Sequence, residues 1–141
     1  MLELGGKAPL LVLDDADLDA AVNAAAFGAF ANSGQICMST ERIIVDRKIA
    51  DEFVARLAMK ANSLLLGDPR KGPVVLGSVV DMATVERCNA LIDDALAKGA
   101  TLLDHVTSEM KIYGEESFGP VKGIVRVRGE EEAIACANDN A

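Results

Sequence analysis

The stretch PLLVLDDADLDAAVNAAAFGAFANSGQICMSTERIIV, residues 9–45, decides the fold. It opens with a short apolar run over residues 9–14, which predicts a buried strand of the kind found in parallel sheets. A helix is predicted from about Leu18, with Asp17 as its N-cap, because apolar residues recur there at helical spacing. The β-branched residues within 41–45 then predict a second strand.

The rest of the chain continues this alternation of helices and strands. The predicted elements are a helix over 49–64 with Gly67 as its C′ residue, a loop over 68–73, a helix over 83–98 stopped by Gly99, strands over 101–103 and 121–127, and a last helix starting over 130–137. Because strands alternate with helices and no linker divides the 141 residues, the sequence predicts one α/β domain. Its sheet should be largely parallel, with flanking helices.

Composition and charge exclude several classes of partner. The net charge of −8 argues against nucleic acid as a partner, since an acidic chain repels phosphate backbones. The apolar runs are too short to span a bilayer, and the N-terminus lacks the basic and apolar segments of a secretion signal. Three widely spaced cysteines without a CxxC pair argue against disulfides and a zinc site, and predict a reducing cytoplasm.

The segment Gly34-Gln35-Ile36-Cys37 is a candidate reactive site. Gly34 permits a tight turn, and Cys37 follows it on a predicted bend between a helix and a strand, where reactive groups concentrate. A thiol is a strong nucleophile only as thiolate, so it needs a nearby base or an activating environment. His105, the single histidine, is far downstream. An inert cysteine therefore stays an alternative from these residues alone.

Glu3 is a candidate base. It lies between Leu2 and Leu4, and partial desolvation among apolar neighbours would raise the pKa of its carboxyl toward the range useful for a base. A disordered N-terminal residue is the other interpretation that its position allows.

Four motifs together resemble those of the aldehyde dehydrogenase superfamily. They are LELGGKAP at residues 2–9, FANSGQIC at 30–37, EESFGP at 115–120 and NDN at 138–140. They stand in the family's order, the first two at its usual separation, and the resemblance covers essentially the whole chain. The stretch over residues 2–57, with QICMSTER at 35–42, is most similar to the members that oxidise aromatic aldehydes, the salicylaldehyde and vanillin type.

The resemblance implies a specific chemistry. Cys37 would attack an aldehyde to form a thiohemiacetal, hydride would pass to NAD or NADP, and Glu3 would activate the water that hydrolyses the resulting thioester to a carboxylic acid. The backbone N–H of Cys37 would supply half of the oxyanion hole. The implied cofactor contacts are Glu116 at the nicotinamide ribose, Phe118 near the nicotinamide ring, and Leu4 and Gly5 beside the cofactor.

The sequence also departs from the family pattern. The family's cofactor-binding domain, the Asn that completes its oxyanion hole and the C-terminal end of its catalytic domain have no counterpart in these residues. Between Leu103 and Asp104 the family normally has a Gly-Gly turn, a variable stretch and another strand, and Ser78 replaces a usual Pro. Residues 1–141 are therefore predicted to form a partial catalytic domain that has little dehydrogenase activity by itself.

Two rival functions stay open. One is a non-enzymatic remnant that self-associates into a homo-oligomer through apolar surface uncovered by the missing parts. The other is a cofactor-free thiol esterase that uses Cys37 and Glu3. For the dehydrogenase the expected partner is a small-molecule aldehyde, with neither nucleic acid nor a membrane involved.

Overall fold

The computed structural model describes residues 5–101 and 103–139. Its elements are strand β1 (Pro9–Val12), helix α1 (Leu18–Phe30), a 3₁₀ turn (Ala31–Gly34), strand β2 (Arg42–Asp46), helices α2 (Ala50–Asn62), α3 (Met82–Ala97) and α4 (Lys111–Gly114), strand β3 (Gly123–Val127) and helix α5 (Gly129–Asn138). Within these residues, no helix is both long and apolar enough to cross a membrane.

The three strands form one parallel sheet in the order β1-β2-β3. Leu10 pairs with Ile43, and Ile43 pairs in turn with Ile124. All five residues of the central strand β2 are buried, as expected for a parallel strand that is covered on both faces. The predicted α/β architecture with a parallel sheet is confirmed.

Helices cover the two faces of the sheet and form two hydrophobic clusters. Ile43 packs with Val22 of α1 and Phe53 of α2 on one face. Ile44 points to the other face, since successive strand residues alternate, and packs with Leu91 of α3 and with residues of α4 and α5. The core is therefore built mostly from aliphatic side chains.

Local signals placed most helix ends correctly. The carboxylate of Asp17 accepts the backbone N–H groups of Asp19 and Ala20, both at 3.0 Å, which confirms it as the N-cap of α1. Gly67 as the C′ residue of α2 was wrong. That helix ends at Asn62, where the backbone N–H of Ser63 donates into its last turn, and Gly67 instead donates to the carbonyl of Leu76.

The strand predicted over residues 101–103 is also not formed at the positions that are described. Thr101 and Asp104 exchange two backbone hydrogen bonds in an antiparallel bridge, so the chain reverses direction there. Leu103 has a positive φ of 66°, which a strand does not allow. Leu102 lies outside the described residues.

Candidate functional site

Cys37 lies in a turn between α1 and β2, as the sequence predicts. After α1 the backbone passes through left-handed conformations at Asn32 (φ 50°), Ser33 (φ 58°) and Gly34 (φ 71°). The turn that follows is closed by the N–H of Ser39, which donates to the carbonyl of residue 36 at 2.9 Å. The thiol of Cys37 is exposed at this turn. Residues 31–40 are called the cysteine loop below.

The cysteine loop is fixed to α1 by contacts at Gly28. The backbone N–H of Thr40 and the hydroxyl of Ser39 both donate to the carbonyl of Gly28, each at 2.8 Å. A Cβ on Gly28 would stand 2.4 Å from the hydroxyl oxygen of Thr40, so the glycine permits this close approach. The exposed thiol is thus carried by a loop whose C-terminal end is anchored.

The cysteine loop also contacts the EESFGP motif. Gly34 lies against the backbone of Gly119, and a Cβ on Gly34 would be 2.2 Å from that residue's carbonyl oxygen. Phe118, beside this contact, is half-buried and adopts a positive φ of 42°. Two motifs that are about 80 residues apart in sequence therefore meet in space.

The predicted cofactor residues that are described also lie close together. A Cβ on Gly5, whose φ is 72°, would be 3.5 Å from Oε2 of Glu116. Glu116 is half-buried. Glu3 and Leu4, predicted as base and cofactor contact, lie outside the described residues.

A buried ionic cluster beneath these motifs was missed by the sequence reasoning. The carboxylate of Glu41 is paired with Lys7 at 3.0 Å and with Lys122 at 2.5 Å. It also accepts the backbone N–H and the hydroxyl of Ser117, both at 2.8 Å. All four residues are buried. We call Lys7, Glu41, Ser117 and Lys122 the Glu41 cluster.

The register of the sheet explains why these charges meet. Pro9, Arg42 and Gly123 are aligned on neighbouring strands, so Glu41 and Lys122, one residue before β2 and β3, emerge at the same edge. Lys7 precedes β1 by two residues. The sequence does carry a signal for this cluster, since a charged residue stands just before each of the three parallel strands. The signal can be interpreted only when the order of the strands in the sheet is known.

Burial and charge act together on the titration of the Glu41 cluster. Burial alone would raise the pKa of Glu41, but the hydrogen bond from Lys122 and the charges of Lys7 and Lys122 outweigh it and hold the pKa below its ordinary value. Burial lowers the pKa of Lys7 despite the attraction of Glu41. The carboxylate of Glu41 is therefore ionised at neutral pH.

The NDN motif is anchored to the centre of the sheet. The fully buried guanidinium of Arg42 donates to three carbonyls at the end of α5, those of Cys136, Ala137 and Asp139, at 3.0–3.2 Å. It stacks over the ring of Tyr113 at 4.9 Å. The last residue of the motif, Asn140, lies outside the described residues.

Comparison with known proteins gives one consistent family. The aldehyde dehydrogenase family matches residues 1–105 and 99–141. The chain is 58% identical to a vanillin dehydrogenase of Pseudomonas fluorescens over 155 aligned positions, which cover 99% of the chain and 32% of that protein. The alignment is longer than the 141-residue chain, and the family match divides at residues 99–105, where the sequence predicts an internal loss.

Solved structures share the same fold. A salicylaldehyde dehydrogenase from Pseudomonas putida G7, complexed with salicylaldehyde, superimposes with a TM-score of 0.95 at 51% identity, over 99% of this chain and 32% of that one. An NADP-dependent glyceraldehyde-3-phosphate dehydrogenase from Bacillus halodurans C-125, complexed with NADP, gives 0.92 at 38% identity, over 98% and 32%. The chain thus spans about a third of the length of these relatives. It belongs to the aldehyde dehydrogenase family.

Proposed function

We propose that this chain supplies the nucleophile and part of the cofactor contact of an NAD(P)-dependent dehydrogenase that oxidises an aromatic aldehyde to the acid. The observation that carries the proposal is the contact between Gly34 and Gly119. It brings the loop with the exposed Cys37 against the segment that holds Glu116 and Phe118. Nucleophile and cofactor residues must be adjacent for hydride to leave the carbon that the thiol has attacked.

In the proposed reaction, the thiol of Cys37 gives its proton to solvent water and Sγ bonds to the aldehyde carbon, whose C=O π electrons move to the oxygen. The backbone N–H of Cys37 donates to the oxygen on which negative charge develops. NAD or NADP, which members of the family use, accepts the hydride when bound. The acyl group is then left on Cys37 as a thioester. Glu3 takes a proton from water, which attacks the thioester and releases the carboxylic acid and the thiol.

The described residues fit the nicotinamide-ribose end of the cofactor. Oxygens of Glu116 can accept hydrogen bonds from ribose hydroxyls, and Gly5 places no side chain beside this carboxylate. Phe118, half-buried two residues later, offers an aromatic surface for the ring. Leu4 is proposed as a further contact on the evidence of sequence alone.

The proposed substrate class is an aromatic aldehyde. Its support is the high identity to the vanillin dehydrogenase and to the salicylaldehyde dehydrogenase whose structure contains salicylaldehyde. Because the chain spans about 32% of these relatives, dehydrogenase turnover is proposed for this chain together with the remainder of the fold. We propose that residues 1–141 alone have little such activity, and steady NADH formation with an aromatic aldehyde would contradict this.

The test of the nucleophile needs no cofactor. The chain is exposed briefly to an activated aryl ester and its intact mass is measured, with Cys37→Ala as control. We expect one acyl group on Cys37 that is lost with time and that persists when Glu3→Gln is introduced. Equal labelling of Cys37, Cys88 and Cys136 would contradict the proposal.

The same acylation assay tests the thiol esterase, since repeated acylation and release without NAD(P) would be esterase turnover.

Self-association is a second candidate, because large apolar side chains are exposed on α1, on α2 and just after α2. These are Phe27 at 77%, Met59 at 67%, Leu65 at 62% and Leu66 at 75% exposed. Exposed apolar surface favours association. A mass by light scattering that rises with protein concentration would support a homo-oligomer, and a constant monomer mass would contradict it.

A further inference from the structure

We propose that Glu41 is a positioning residue, whose carboxylate holds the segment from Ser117 to Gly119 against the cysteine loop and thereby sets the reactivity of Cys37. This inference rests on the function proposed above. It adds to that function a residue outside the four motifs' implied roles.

The carboxylate of Glu41 holds Ser117 at two points. One oxygen accepts the backbone N–H of Ser117 and the other accepts its hydroxyl, both at 2.8 Å. Ser117 is fully buried. Two residues later, the carbonyl of Gly119 lies directly against Gly34 of the cysteine loop. A displacement of Ser117 would therefore be passed to the backbone on which the cysteine loop rests.

Glu41 is itself placed by rigid structure. Its backbone N–H donates to the carbonyl of Ala8 at 2.8 Å, and β2 begins at the next residue. Cys37 lies four residues earlier, and the loop between them is fixed to Gly28. Glu41 therefore directly follows the cysteine loop and also holds the opposing EESFGP motif.

The lysines of the Glu41 cluster complete this connection. Lys7 donates both to Glu41 and to the carbonyl of Glu115, at 2.5 Å, so it joins the first motif to the third. Lys122 donates to Glu41 and to the hydroxyl of Ser117, at 3.1 Å. The carboxylate of Glu41 thus orients Lys7 of the LELGGKAP motif and Ser117 of the EESFGP motif around it.

A positioning role and a merely structural role of the Glu41 cluster predict different results when apolar residues replace the cluster. Buried ion clusters are expensive to desolvate, and apolar residues of similar volume often replace them with little loss of stability. If the Glu41 cluster only fills the core, such a replacement should leave Cys37 as reactive as before. If Glu41 positions Ser117, a stable apolar replacement should still lose reactivity, because Ser117 loses its acceptors.

The experiment compares the triple variant Lys7→Met, Glu41→Leu, Lys122→Met and the single variant Glu41→Gln with the unmodified chain. Two rates are measured at Cys37, corrected for the folded fraction. They are acylation by an activated aryl ester and alkylation by iodoacetamide. Acylation depends on oriented groups around the thiol, whereas alkylation needs little more than access to the thiolate.

We expect acylation to fall about tenfold or more in both variants, while alkylation changes less than about threefold. The matched control is Asp104→Leu with Arg126→Met. It removes another largely buried ion pair, 2.6 Å long, that joins β3 to the turn before it. Whether or not this control changes stability, the ratio of its acylation and alkylation rates should stay that of the unmodified chain. Acylation at the unmodified rate in a folded triple variant would overturn the proposal.

A second measurement covers the remaining outcomes. Amide hydrogen exchange should show reduced protection at residues 34–40 and 117–119 in Glu41→Gln, and unchanged protection there would overturn the proposal. If the triple variant does not fold, the proposal is tested with Glu41→Gln alone, under conditions where that variant is folded. The acylation and alkylation rates at Cys37 and the amide exchange are then both measured on it. If the unmodified chain is not acylated at Cys37, the proposed function fails, and the exchange data still test the positioning role by themselves.

Discussion

A Cβ placed on Gly34 would stand 2.2 Å from the carbonyl oxygen of Gly119 and 2.6 Å from its carbonyl carbon. Both atoms belong to backbone, so the clash cannot be relieved by rotating a side chain. The φ of Gly34, 71°, adds the strain of a left-handed residue, about 1–2 kcal/mol for a residue with a Cβ.

We therefore expect Gly34→Ala to lower the free energy of unfolding by about 2 kcal/mol or more, because steric overlap adds to the left-handed strain. Acylation of Cys37 should fall as well, even where the protein is folded. Urea unfolding followed by circular dichroism measures the first effect, and intact mass after ester treatment measures the second. Gly72→Ala is the matched control, since nothing lies within 4 Å of a Cβ on Gly72. Equal stability of the two variants would contradict the expectation.

The three cysteines should react with iodoacetamide in the order of their exposure. Cys37 is exposed, Cys136 is half-buried, and Cys88 is buried, where burial raises the pKa of its thiol. At neutral pH we expect Cys37 to be modified first and Cys88 to be protected until the protein unfolds. Peptide mapping after short exposures gives the order, and Cys37→Ala identifies the first product. Early modification of Cys88 in the folded protein would contradict the burial of its thiol under α3.

Much of the fold was readable because local signals agreed with tertiary packing. The strand predicted over 41–45 from its β-branched residues 43–45 is the buried central strand Arg42–Asp46, and Asp17 caps α1 through its carboxylate. The strand predicted at 101–103 failed because a turn at Leu103 reverses the chain, which a pattern of three residues cannot reveal. The prediction that Gly67 is the C′ residue of α2 failed because the helix ends earlier, at Asn62. Gly67 lies in the loop that follows and donates its N–H to the carbonyl of Leu76.

The sequence identified the motifs of the candidate site, but it did not reveal the contacts between those motifs. Cys37 was placed on the predicted bend, and Gly5 lies beside Glu116. The role of Glu41 could not be foreseen, since its partners are 34 to 81 residues away in sequence. Only the parallel register of the strands brings Lys122 next to it.

Glu41 should contribute stability that is lost in acid. Its pKa is held below the ordinary value of 4.5 in the folded protein, so the unfolded chain binds its proton more readily. The contribution is complete above 4.5 and disappears as the pH falls through the lower, folded-state pKa. The difference in unfolding free energy between the unmodified protein and Glu41→Gln should therefore narrow from pH 7 to about pH 3.

The comparison isolates Glu41 because other carboxyls with lowered pKa values, such as Asp81 at the N-cap of α3, are present in both proteins. The measurement is a series of urea unfolding curves at fixed ionic strength. A difference that stays constant across this range would mean that the pKa of Glu41 is not lowered by folding.

Arg42 should be the residue on which the end of α5 depends. Replacing it by Leu leaves the carbonyls of Cys136, Ala137 and Asp139 without the donors that Arg42 now provides. We expect the unfolding free energy to fall by about 2–3 kcal/mol, because the buried guanidinium of Arg42 loses its hydrogen bonds to these part-buried carbonyls, and hydrogen bonds to charged groups contribute about 1.5–3 kcal/mol. Hydrogen exchange should show the end of α5 opening before the sheet does.

Two further variants make this test specific. Arg47→Leu removes the same charge from an exposed position just after β2 and should change stability by less than about 0.5 kcal/mol. Arg42→Lys keeps the charge but lacks the planar fork that reaches several carbonyls while stacking on Tyr113, so it should recover only part of the loss. If Lys restores full stability, charge alone is sufficient and the geometry of the guanidinium is not what holds α5 to the sheet.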